Sequence, residues 1–78
     1  MINVPNIPNP VTAVFSDSPK KESLIVLTTR GELYHVLKGK LQGPACQRHT
    51  GWNYDTAKES CAVFGYEPVQ NPATVLRG

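Results

Sequence analysis

The sequence predicts a small single α+β domain. An antiparallel sheet of about three to four strands, built on a hairpin near residues 23–37, packs with one helix near residues 54–64. Three observations predict it. Residues 23–29 form a β-branched, aliphatic run that is followed, across Thr28-Thr29-Arg30-Gly31, by the alternating run 32–37. From Tyr54 to Phe64 the apolar spacing changes to three and four. The chain has 78 residues with seven prolines and six glycines, which is enough for one core and leaves little for a second.

Taken in order, residues 1–10 (MINVPNIPNP) combine three prolines with three asparagines, so neither a helix nor a central strand passes through them. They read as an extended, partly ordered arm whose Ile2, Val4 and Ile7 dock on the chain's own core, with docking on a partner as the alternative. The single domain is expected over residues 11–70, with a flexible tail at 71–78. Residues 11–15 suit a short strand closed by Ser16-Asp17-Ser18-Pro19. In the hairpin, Gly31 sits where a type I turn followed by a bulge needs a left-handed residue. Leu33, His35 and Leu37 share one face of the second strand while Tyr34 and Val36 share the other, so both faces are partly apolar. Gly39 offers a second turn, and residues 40–42 begin a third strand that Gly43-Pro44 stops.

The helix signals are local. Thr56-Ala57-Lys58-Glu59 matches a capping box, Asn53 and Asp55 compete as N-caps, and Gly65 suits the position just past the C-terminus. Tyr54, Ala57, Cys61 and Phe64 stack on one face, with Asp55, Lys58 and Glu59 turned away, so that face is expected to be buried. Residues 66–69 read as an edge strand, the only setting that tolerates Pro68.

The net charge of +2 is too small for a protein that coats nucleic acid and too balanced for an acidic mimic of DNA. Its distribution says more. Residues 20–48 hold Lys20, Lys21, Arg30, Lys38, Lys40 and Arg48 against Glu22 and Glu32, a net +4, while each flank carries −1. An anionic partner is expected to meet this middle third. The longest wholly aliphatic run, Leu24-Ile25-Val26-Leu27, is far short of a membrane span, and the amino terminus lacks a secretory signal pattern, so the expected location is the cytoplasm.

For chemistry, Cys46 and His49 have the spacing of a metal-ligand pair, and Cys61 with His35 would complete a zinc set. That second pair is split by 26 residues and Cys61 lies on the apolar helix face, so no metal site and no cofactor are expected. A cysteine nucleophile with either histidine lacks a third orienting group at a meaningful spacing. No phosphate-cradling glycine loop or paired-carboxylate motif is present. The expected class is non-enzymatic. The segment from Gln47 to Tyr54 brings Arg48, His49 and the single Trp52 into the loop that enters the helix, and these are residue types that dominate interfaces. Trp52 also fits a lid on the core at the helix entrance.

The expected contact surface therefore comprises Lys20, Lys21, Arg30, Lys38, Lys40, Arg48, His49 and Trp52. In its size, its lack of catalytic apparatus and its basic hairpin with a short helix, the chain resembles small phage-encoded regulators of host machines, including proteins that dock on RNA polymerase. The resemblance implies a regulatory protein that binds a larger host complex and acts in the host cytoplasm, with modulation of host transcription as one form. It rests on no shared motif, so no functional residue is carried over. The alternatives are a nucleic-acid-binding module using the basic hairpin and, third, a small zinc-binding protein.

Overall fold

The structure, a computed structural model, describes residues 7–17, 22–45 and 51–70. Its elements run β1 (Val11–Asp17), β2 (Ser23–Thr28), β3 (Leu33–Leu37), β4 (Lys40–Pro44), α1 (Tyr54–Val63) and β5 (Tyr66–Pro68). The α+β class holds, but five strands pair rather than three to four, in the order β4-β3-β2-β1-β5, with every pairing antiparallel. β1 to β4 form a meander. The helix then packs on β5, β1 and β2 and leads the chain to the sheet edge opposite β4, where β5 pairs with β1.

Strand alternation sorts the side chains onto two faces. Val11, Val14, Leu24, Val26, Tyr34 and Val36 form one cluster with Ile7, and Leu41 and Val69 pack against it. Ala13, Phe15, Leu27 and Leu33 form the other cluster with Ala57 and Cys61 of the helix, joined by Ile25, Trp52 and Tyr66. A bulge between Val11 and Ala13 shifts the register of β1, which is why Val11 and Val14, three apart, share a face. Phe15 and Val26, both fully buried, anchor the two clusters, and each such side chain contributes about 1.5–3 kcal/mol.

The turns follow the sequence. Gly31 has φ +74°, its N–H donates to the Thr28 carbonyl at 3.1 Å, and the Thr28 N–H donates to the Glu32 carbonyl at 2.9 Å. The buried Thr28 hydroxyl accepts from the backbone N–H of Arg30 and of Glu32. At the second turn Lys38 and Gly39 both have positive φ, +51° and +80°, the pair of values that a two-residue type I′ hairpin requires. The end of the arm is tied to the first hairpin. Ile7 is buried, the Asn9 amide donates to the Glu32 carboxylate at 2.8 Å, and the Thr29 N–H donates to the Pro10 carbonyl. Residues 1–6 of the arm and the tail at 71–78 lie outside the described residues.

Two helix expectations need correction. The capping box is Asn53 with Thr56, not Thr56 with Glu59: the Asn53 side chain accepts from the Thr56 N–H at 2.9 Å, and the Thr56 hydroxyl accepts from the Asn53 N–H at 3.1 Å. The geometry favours Asn53 because its backbone is extended, as an N-cap requires, while Asp55 is already in the first turn. The second correction concerns the buried face. Ala57 and Cys61 are buried, but Tyr54 is 46% and Phe64 77% exposed. A ten-residue helix crossing the sheet meets it along its middle turns, and Phe64 falls beyond them at the C-cap. Tyr54 keeps a tilted ring contact with Phe15, with centroids 5.8 Å apart.

Candidate functional site

The helix packs foremost on β5, then on β1 and β2. The β3–β4 half of the same sheet face therefore lacks an equivalent cover among the described residues, and a groove of about 630 Å³ opens there. Its floor is Ile25, Leu33 and His35, its helix wall is Ser60, Cys61 and Phe64, and Trp52 and Pro44 contribute its rim. None of the described residues lining it carries a fixed charge.

Trp52 is placed by backbone. Its N–H donates to the Gly31 carbonyl at 2.9 Å, and its half-buried side chain packs on the Phe15 cluster while lining the groove. It is thus both a lid on the core and a groove wall. Gly31 makes the approach feasible, because a Cβ there would lie 2.9 Å from Gly51 Cα and from the Trp52 nitrogen.

At the other end three strands contribute to one polar cluster. The Ser23 hydroxyl shares hydrogen bonds with His35 Nε2 at 2.8 Å and with the Tyr66 hydroxyl at 2.7 Å. The Ser23 N–H donates to the Asp17 carboxylate at 3.0 Å, which pins the start of β2. His35 and Tyr66 line the groove, so a mostly apolar surface, which Gln42 and Ser60 also line, has a hydrogen-bonding patch at one end. Burial pushes the Cys61 thiol above its ordinary range, which keeps it protonated and weakly nucleophilic.

Among the residues expected to bind a partner, the structure brings Arg30 and Trp52 to one end of β3, and places Lys38 and Lys40 at the other end, beyond Leu37. β3 is five residues long, so these ends stand about 17 Å apart, and the hairpin cations do not converge on one spot. Lys20, Lys21, Arg48 and His49 lie outside the described residues. Of the zinc candidates, His35 and Cys61 do line the same groove, while Cys46 and His49 lie outside the described residues. Among the described residues no three His, Cys, Asp or Glu side chains cluster as a metal site would require, and no helix is long and apolar enough to cross a membrane.

Sequence reasoning missed the groove itself. Its signal was present in Phe64 and Pro44, apolar residues at the ends of their elements, but only the path of the helix shows which part of the sheet is left open. Comparison with protein-family models, with curated proteins and with solved structures returns no match to this chain.

Proposed function

We propose that the chain is a small non-enzymatic binding protein that takes an apolar segment of a larger protein into the groove between α1 and the β3–β4 hairpin, in the manner of a regulator of that partner. One observation carries this reading. The groove is concave and mostly apolar, is walled by Trp52 and Phe64, and has no charged side chain among its described residues. Aromatic anchors in a desolvated concavity are how protein interfaces concentrate their energy. Phosphate binding instead draws on Lys and Arg side chains, and the described cations stand at the ends of β3 rather than in the groove.

The test is capture from a cell lysate by the immobilised full chain, with and without nuclease, alongside the Ser60→Arg variant. Ser60 is a half-buried helix residue on the groove wall, so an arginine there introduces charge without disturbing the core. The expected result is a captured protein that survives nuclease and is lost with Ser60→Arg. Capture that nuclease abolishes, or that the variant leaves intact, overturns the reading.

A further inference from the structure

We infer that the sheet face opposite α1 is closed by the chain's own amino-terminal segment, residues 1–6, lying on it as an extended strap of the polyproline II type. The groove is on the other face and plays no part in this. Strand pairing sets the side chains of the face opposite α1 in rows: Val11 beside Thr28, then Val14, Val26 and Tyr34, then Ser16, Leu24, Val36 and Leu41. Val14, Leu24, Val26 and Val36 are 1%, 2%, 0% and 1% exposed. Among the described residues, Leu41 and Val69 flank this cluster at the sheet edges and only Ile7 joins it from elsewhere, while α1 packs Ala57 and Cys61 into the cluster on the other face. A single layer of strands cannot exclude water from its own face, so a further segment lies on it.

Where each candidate segment leaves the described chain selects the arm. Asn9 is held by Glu32 and Pro10 by the Thr29 N–H, both at the Val11–Thr28 end of the face; the chain bends at Pro8 and Asn9, and Ile7 is buried among the valines. The far row, which holds Leu24 and Val36, is about 14 Å along β2 from Thr28. At about 3.1 Å per residue, residues 1–6 reach about 19 Å beyond Ile7, enough to cover it. The carboxyl-terminal tail starts in the other direction. β5 runs antiparallel to β1, from Asp17 toward Val14, so the chain leaves Val69 heading for the end that residues 9 and 10 already hold. Residues 18–21 and 46–50 contain no Val, Ile, Leu or Met to place on an apolar face.

The arm also has the sequence for it. Up to the bend its residues repeat every three: Met1, Val4 and Ile7 form one series, Ile2 and Pro5 a second, Asn3 and Asn6 a third. Polyproline II turns once in three residues, so each series becomes a stripe along the strap. Ile7 is buried in the valine cluster, and Met1 and Val4 continue its stripe over the sheet, with Asn3 and Asn6 on an outer side. No residue from 1 to 6 has a charged side chain to desolvate. Pro5, Pro8 and Pro10 hold φ at about −65° before docking, which lowers the entropy lost when the strap is laid down.

The test is a nuclear Overhauser experiment on the full chain with its Met, Ile, Leu and Val methyl groups labelled. Contacts are expected from Met1 and Val4 to Leu24 and Val36, and their absence overturns the strap. Contacts from Val75 and Leu76 in their place would assign the cover to the tail, and contacts seen only between differently labelled copies would assign it to the arm of a second chain; either result overturns the proposal. Two variants read the stripe. Val4→Asp sets a charge against the valines and should lower the melting temperature by roughly 10 °C, with a gain in binding of an apolar dye, whereas Asn6→Asp should shift it by no more than about 2 °C. Equal melting temperatures for the two variants overturn the proposal as well.

Discussion

The backbone N–H of Trp52 donates to the carbonyl of Gly31 at 2.9 Å, and this bond ties the entry of α1 to the tip of the β2–β3 hairpin. The contact joins a residue that closes the core to a glycine with φ +74°. It sets where the helix begins its crossing and so which half of the sheet stays open.

Gly31→Ala should therefore cost more than its turn alone explains. The left-handed backbone penalises any side chain by about 1–2 kcal/mol, and here the added Cβ also meets Gly51 Cα at 2.9 Å. Gly39→Ala is the control, with φ +80° and nothing within 4 Å of an added Cβ. Urea denaturation should show Gly31→Ala as the more damaging of the two. Equal losses would mean that the loop approach contributes nothing.

Phe64→Ala should change stability by no more than about 0.5 kcal/mol, as is usual for a surface position, because the ring is 77% exposed. Phe15→Ala should cost about 3–5 kcal/mol and unfold much of the population. Thermal melts that rank the two the other way would contradict the assigned helix path.

Asn53→Ala should destabilise by about 1 kcal/mol through loss of the N-cap, and Glu59→Ala should be close to neutral. The pair separates the observed capping box from the alternative one residue triplet later, and chemical denaturation is sufficient to read it.

Ser23→Ala removes the hydroxyl shared by His35 and Tyr66 and should cost about 1–3 kcal/mol, since both partners are part-buried. Tyr66→Phe should cost less when made on top of Ser23→Ala than on its own. Strict additivity in this double-mutant cycle would show that the two groups do not act together.

Stability should fall at alkaline pH. Burial pushes the Cys61 thiol upward, and burial together with the Glu32 carboxylate pushes the Tyr34 hydroxyl the same way. The unfolded chain then gives up both protons first as pH rises. The stabilisation is therefore complete below the ordinary thiol and phenol ranges, and is lost as pH climbs through the raised folded values. Denaturation midpoints taken from pH 7 upward should decline, with the early part of the decline removed in Cys61→Ala. A decline unchanged in that variant would assign the effect elsewhere.

The sequence by itself determined the elements whose signals are local. The run Leu24-Ile25-Val26-Leu27, the left-handed Gly31, the Lys38-Gly39 turn and the start of the helix near Asn53 are all decided within a few residues by backbone sterics and side-chain capping, so they were legible before any packing was known. The residues on either face of β3 were legible for the same reason, since the pleat alternates them without regard to what covers them.

Tertiary structure decided the rest. The edge strand read at residues 66–69 forms as β5, but its partner, the free edge of β1 about fifty positions away, was decided by the path of the helix, since no local pattern encodes that pairing. The same crossing decided that Ala57 and Cys61 are buried while Phe64, on the same helical face, is not: periodicity states which residues share a direction, but burial depends on whether a neighbour lies along it. The separation of Arg30 from Lys38 and Lys40 is by contrast local, since the extended β3 of the expected hairpin lies between them. The groove beside Trp52 is the remainder of that arithmetic of surfaces, the part of the sheet face that α1 does not cover among the described residues, and a sequence read residue by residue has no means of registering it.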